Sequence, residues 1–171
     1  DADGDQDLVI VGDWMKVRTF RNDGGQLVDA TDQWLPASPT GWWRSLAVSD
    51  VDGDGDRDIV AGNYGLNHRY QPTAEHPLLM LHNDFDHNNT RDIVLARWVE
   101  GAYRPDRSFT YLKQQFPFLM LKYEWHEEFA AADLVRVFGN DVEAADRFTA
   151  EVFATTLFVN EGGRCTAQPL P

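Results

Sequence analysis

Apolar residues fall into two textures along this chain. Three short runs, Leu8-Val9-Ile10-Val11, Ile59-Val60-Ala61 and Ile93-Val94-Leu95, each follow a cluster of aspartates. Runs of this length are too short for helices and predict strands buried on both faces. Residues 108–149 are spaced differently. Ser108 stands as an N-cap for a helix over Phe109–Gln115, and Pro117 restarts the chain. Apolar residues then recur at helical intervals over Glu124–Phe138, Gly139-Asn140 ends that stretch, and Asp141–Phe148 predicts one more short helix. β character returns over Val152–Val159. The pattern predicts a mainly β scaffold over residues 1–107 and 150–171, interrupted by an α-helical insertion over 108–149.

The aspartate clusters are copies of one element. Asp50-Val51-Asp52-Gly53-Asp54-Gly55-Asp56-Arg57-Asp58 aligns with the segment Asp84, Asp86, Asn88, Thr90, Asp92. Asp1-Ala2-Asp3-Gly4-Asp5-Gln6-Asp7 matches positions three to nine of the same pattern, so its first two positions are expected before residue 1. A second element repeats as well: Phe20-Arg21-Asn22-Asp23-Gly24-Gly25 recurs as Phe158-Val159-Asn160-Glu161-Gly162-Gly163. Each copy predicts a strand running into a Gly-Gly turn with positive φ. Repeated strand–turn units at intervals of a few tens of residues predict propeller blades or a related array. Two or three blades do not close a propeller, which typically takes four to eight. The expectation is a partial β-propeller belonging to a longer chain.

Charge sharpens the reading of these clusters. The 171 residues carry a formal net charge of -13. Residues 1–7, 50–58 and 84–92 hold twelve aspartates against Arg57 and Arg91, so most of that charge sits in three short windows. The balance disfavours nucleic acid and anionic membranes as partners. No apolar run approaches the length of a membrane helix. Cys165 is the single cysteine, which rules out an intramolecular disulfide.

Carboxylates packed this tightly repel one another, and a hard cation relieves the repulsion. Calcium suits the chemistry because it accepts six to eight oxygen ligands in flexible geometry. An EF-hand requires Glu at loop position 12 and flanking helices. Here position 12 is Ala61 or Leu95, each inside a strand-like run, so that class is excluded. A strand–loop–strand calcium site remains.

The Asp50–Val60 pattern resembles the FG-GAP repeats, also called VCBS repeats, of integrin-α-like β-propellers. The order of Val11-Gly12-Asp13-Trp14, the Asn-x-Gly-Gly turn, Gly41-Trp42-Trp43, the second aspartate loop and Gly62-Asn63-Tyr64-Gly65-Leu66-Asn67 is similar to bacterial relatives of cartilage acidic protein. In that group such repeats are often joined to an ASPIC/UnbV domain. Lys113-Gln114-Gln115-Phe116-Pro117 and the helical stretch after it are similar to an insertion in the same group. The resemblance implies Ca2+ held by Asp50, Asp52, Asp54, the Asp56 carbonyl and Asp58. It implies a third-loop set of Asp84, Asp86, Asn88, the Thr90 carbonyl and Asp92. In the first loop it implies Asp1, Asp3, the Asp5 carbonyl and Asp7. The third loop departs from the pattern, since His87 and Asn89 stand where the second loop has glycines.

No catalytic constellation emerges. His68, His76, His82, His87 and His126 form no zinc motif, and no Gly-x-Ser-x-Gly elbow is present. Trp42, Trp43, Tyr64, Asn67, His68 and Arg69 are either a surface for sugar or peptide or rings wedged between blades. The expected function is a calcium-binding propeller segment of a secreted, cell-surface or periplasmic protein. It acts in recognition or scaffolding, with a protein or glycan ligand. The alternative is a propeller enzyme of carbohydrate or redox metabolism with its active site in a central channel.

Overall fold

The computed structural model describes residues 3–171. Strands hold 38% of the chain and helices 18%, so the protein is mainly β, and its sheets are antiparallel. The chain forms two compact units. One runs to Arg69 and resumes over Ala150–Pro171; the other is Tyr70–Thr149.

In the first unit, β1 (Leu8–Ile10), β3 (Arg18–Asp23) and β4 (Gln26–Asp29) form a sheet in the order β1-β3-β4. Helix α1 (Thr31–Trp34) follows, and β2 (Asp13–Lys16) pairs with β5 (Thr40–Trp42). Strands β6 (Ser45–Ser49), β7 (Asp58–Gly62), β12 (Thr156–Asn160) and β13 (Cys165–Pro169) form a second sheet in the order β13-β12-β7-β6. The two sheets repeat one register. Leu8 faces Phe20 across β1 and β3, and Ile59 faces Phe158 across β7 and β12. In each pair the first residue follows the last aspartate of a loop, and the second precedes the turn asparagine by two. The Gly-Gly turns predicted after β3 and β12 are present, with φ of 63° and 99° at Gly24 and Gly25 and 68° and 92° at Gly162 and Gly163.

The core of this unit gathers Val17, Leu35, Trp43, Ile59, Ala61 and Phe158. Strand β7 lies in mid-sheet and buries Ile59 and Ala61. The expectation of burial on both faces does not hold for β1, where Leu8 and Ile10 are 39% and 38% exposed, nor for the third apolar run, where Ile93 is 55% exposed. Among the described residues β1 is an edge strand whose outer face no layer covers.

The second unit sets a sheet against helices. Strands β8 (Leu78–Asn83), β9 (Asp92–Val99), β10 (Ala102–Pro105) and β11 (Asp146–Ala150) take the order β10-β9-β8-β11. Helices α2 (Phe109–Gln115), α3 (Leu119–Lys122), α4 (His126–Ala131), α5 (Leu134–Phe138) and α6 (Asp141–Ala144) supply the other wall. Leu81, Val94 and Ala96 of the sheet pack with Leu112, Phe116, Leu119 and Val137. Burying side chains of this size contributes about 1.5–3 kcal/mol each for the larger ones, which is what holds five short helices in place.

Three details differ from the sequence expectation. The helix expected over Glu124–Phe138 is two helices, because Asp133 accepts the Arg136 N–H at 2.7 Å and starts α5 afresh. Ser108 occupies the N-cap of α2 in extended backbone, but its side chain makes no cap bond. The helix expected over Asp141–Phe148 stops at Ala144, and the chain then enters β11 beside β8. Pairing with an open sheet edge outweighs the weak helical signal there.

Candidate metal centre

The second aspartate loop joins β6 to β7 and turns in on itself. Asp50 accepts the Gly53 N–H at 2.7 Å on one oxygen and the Gly55 N–H at 3.1 Å on the other. Asp52 accepts the Asp54 N–H at 3.2 Å, and Asp54 accepts the Asp56 N–H at 2.8 Å. Gly53 and Gly55 take φ of 83° and 99°, a region glycine enters without a Cβ penalty. Asp50, Asp52 and Asp58 thereby bring carboxylate oxygens within 4.8 Å of one another. A cation bound by oxygens at 2.3–2.6 Å would span such a gap, so the residues present fit calcium. Among the described residues no ion pair neutralises Asp50, Asp52, Asp54 or Asp58.

Electrostatics separates these acids. The pKa of Asp52 is raised: the Asp54 N–H, its largest single influence, pulls it down, but desolvation and repulsion from Asp54, Asp58 and Asp50 together win. Asp58 goes the other way, its carboxyl held below the usual range first by the Asn160 N–H and then by that of Val51. Asp58 is fully buried, with Asn160 N–H on one oxygen at 2.8 Å and Val51 N–H on the other at 2.8 Å.

Asn160 shows how the two repeated elements of the sequence belong together. Its amide N–H binds Asp58, its side-chain NH2 donates to the Arg57 carbonyl at 3.3 Å, and its side-chain oxygen accepts the Gly163 N–H at 2.8 Å. Gly162 N–H binds the Asp56 side chain at 3.1 Å. The first loop repeats every bond. Asn22 N–H binds Asp7 at 2.9 Å, Asn22 NH2 reaches the Gln6 carbonyl at 3.1 Å, Asn22 oxygen accepts the Gly25 N–H at 2.8 Å, and Gly24 N–H binds Asp5 at 3.1 Å. The side chains of Asp5 and Asp56 thus hold a turn, which agrees with an assignment of their carbonyls, not their carboxylates, as ligands. Sequence reading found both elements and missed their docking; their parallel recurrence was the available signal.

The third loop, between β8 and β9, keeps the fold of the second with different residues. Asp84 accepts Asn88 N–H at 3.0 Å and Asn89 N–H at 2.8 Å, while Asn88 accepts Thr90 N–H at 2.7 Å. His87 and Asn89 occupy the glycine positions with φ of 58° and 66°. Asp84, Asp86 and Asp92 bring oxygens within 4.8 Å of one another. No Asn-x-Gly-Gly turn docks here. Gln115 from α2 donates instead to Asp92 Oδ1 at 3.1 Å, while Asp92 Oδ2 is buried without a hydrogen-bond partner. An orphaned buried carboxylate oxygen in this position suits a cation.

Asp1 lies outside the described residues. Of the rest of the first loop, Asp3 accepts the Asp5 N–H at 2.9 Å, and no group of three convergent carboxylates forms among the described residues. The histidines enter no metal group there either. Burial pushes the Cys165 thiol up to about 11, which leaves it protonated and unreactive at neutral pH. Trp43 is 2% exposed and its indole N–H donates to the Met15 carbonyl at 2.9 Å, so it is a core ring.

Residues 1–61 match the family described as FG-GAP-like repeat. The match covers the first loop, the first Asn-x-Gly-Gly turn and the second loop into β7, and it supports the FG-GAP family for that stretch. No curated protein and no solved structure matches the chain.

Proposed function

We propose that this chain is a calcium-binding segment of a β-propeller, with calcium in a structural role and the blades acting in recognition or scaffolding. The convergence of Asp50, Asp52 and Asp58 within 4.8 Å, with no basic side chain paired to them among the described residues, carries this reading. Calcium in the loop would tie β6 to β7 and, through Asp58 and Asn160, β7 to β12. The third loop would hold a second ion through Asp84, Asp86, Asn88, the Thr90 carbonyl and Asp92, and the first would use Asp3, the Asp5 carbonyl and Asp7 together with Asp1. Open loop sites of this kind suit millimolar calcium, which supports a location outside the cytoplasm: extracellular, cell-surface or periplasmic. No helix among the described residues is long and apolar enough to cross a membrane. The finer kinship, with bacterial relatives of cartilage acidic protein, rests on the motif order of the sequence.

Thermal melting with added calcium and with excess EDTA tests the proposal. Binding to the native state alone raises stability by mass action, about 2.7 kcal/mol at a hundredfold excess over Kd. The melting temperature is expected to rise with calcium and fall with chelator. Identical melting in both conditions overturns the structural-calcium reading.

A further inference from the structure

Five rings from four chain segments of the first unit form one continuous cluster. Trp42 lies at its centre, with ring centroids 5.0 Å from Trp14, 5.0 Å from Tyr64 and 4.9 Å from Phe153. His68 closes the group at 4.9 Å from Tyr64 and 4.8 Å from Phe153. Phe153 is buried and forms the base, Tyr64 is 47% exposed, and Trp14, Trp42 and His68 are half-buried.

The arrangement is held by dedicated contacts. Asn63 accepts the Trp42 N–H at 3.1 Å and the Tyr64 N–H at 2.8 Å, and it donates to the Val152 carbonyl at 3.0 Å. One side chain thus fixes the backbone at three ring-bearing segments. The ring of the fourth segment is set at a cost. Trp14 adopts φ of 61° at an irregularity in the β2–β5 register between Asp13 and Met15. A bulky residue is uncomfortable there, and bulges recur where a side chain is re-aimed toward a site. Strain of this kind points to a use for the ring that packing does not demand. The adjoining Trp43, by contrast, is sealed in the core.

The rim has its own chemistry. Asp13 precedes Trp14, Arg44 follows Trp43, and the two pair at 3.2 Å with side chains 40% and 55% exposed. Their charges cancel within the pair, so it adds no net charge to a chain of net charge -13. A carboxylate and a guanidinium side by side offer acceptors and a planar fork of donors, which matches vicinal hydroxyl groups. The exposed Tyr64 ring, with the half-buried Trp14 and Trp42 beside it, matches the C–H face of a pyranose. We propose that the Trp14–Trp42–Tyr64 cluster binds a neutral glycan, with a sugar face on the rings and hydroxyls on Asp13 and Arg44. The proposal rests on the recognition reading above and names its ligand class.

Affinity electrophoresis of the full chain through gels containing dextran, laminarin, mannan or alginate tests it, followed by tryptophan-fluorescence titration. At least one neutral polysaccharide is expected to retard the protein, and Tyr64→Ala and Trp14→Gly are each expected to weaken binding at least tenfold. Trp14→Gly is expected to melt at or above the parent, since glycine accepts this φ freely; a purely packing role predicts a lower melt. Should that variant fail to fold, the exposed Tyr64 decides the matter. Retardation by none of the polysaccharides, by charged alginate alone, or unchanged binding in Tyr64→Ala overturns the proposal. Melting with and without calcium on the same samples keeps the two readings apart: retardation with no calcium effect overturns only the calcium role.

Discussion

Asn160 donates its backbone N–H to Asp58 at 2.8 Å across 102 residues of chain. Asn22 and Asp7 make the same bond at 2.9 Å across 15. The same local chemistry closes both loop–turn repeats, and the first unit accommodates residues 70–149 between β7 and β12 without altering it. The two sites differ in burial, since Asp58 is fully buried and Asp7 only partly. Replacing a carboxylate by an amide turns one acceptor into a donor facing an N–H. A buried group left so costs more than one that water can reach. Asp58→Asn is therefore expected to lower the melting temperature by roughly 4–8 °C, and Asp7→Asn by less than half of that. Calorimetry in EDTA checks this with any metal contribution removed.

Asp29 gives the first unit an acid limb. Thr31, through its hydrogen bonds, and then Arg18, at 2.6 Å, hold its carboxyl down to about 2 from 3.8. A depressed carboxylate contributes stability that is fully present above its unfolded pKa and disappears as pH falls through its folded one. The contribution of Asp29 is therefore intact at pH 5 and lost between about pH 4 and pH 2. Asp29→Asn is expected to be less stable than the parent at pH 6 and to converge with it near pH 2. Urea midpoints across that range measure the convergence; a constant gap would mean that the charge of Asp29 is not what stabilises.

Gly41 is required by crowding and not by its backbone angles. A Cβ there would lie 2.7 Å from the Asn63 amide nitrogen, 2.9 Å from the Trp43 ring and 3.1 Å from the Val152 carbonyl. One of these contacts is backbone and one a buried ring, so little can yield. Gly41→Ala is expected to cost about 1–3 kcal/mol, the usual range for overpacking a core, and to perturb Trp42 through Asn63. Denaturant titration followed by tryptophan emission reads both effects.

What the sequence made legible was local. The aspartate loops announce themselves because every bond from Asp50 to Gly53 and Gly55 lies within a few residues, and the Gly-Gly turns for the same reason. Helix α2 was readable to its last residue. The break at Asp133 was not, because the apolar spacing of Glu124–Phe138 runs through it and only the capping bond to Arg136 decides. The Asn160 clamp and the Gln115 contact to Asp92 join distant segments, and no pattern within a window encodes them. The ring cluster was half legible: Trp42, Tyr64 and His68 stood out, while Trp14 and Phe153 join only through the β2–β5 register and the approach of residues 152–153 to Gly41.

Asp52 distinguishes a metal loop from a merely acidic one, because the two readings give its substitution opposite signs. Despite the Asp54 N–H, desolvation and the repulsion of Asp54, Asp58 and Asp50 raise its pKa. A carboxyl raised in the folded state opposes folding once pH exceeds that pKa, so at pH 7 without metal Asp52 destabilises the loop. Asp52→Asn in EDTA is then expected to raise the melting temperature slightly, by about 1–2 °C. On the calcium reading Asp52 would be a ligand once the ion is bound, and the same substitution would remove an anionic oxygen from it. The melting increment produced by calcium is expected to fall by at least half, leaving the variant less stable than the parent. Melting curves of both proteins in EDTA and in millimolar calcium give all four values. A variant that is more stable under both conditions would mark Asp50–Asp58 as a strained acidic turn without a metal role.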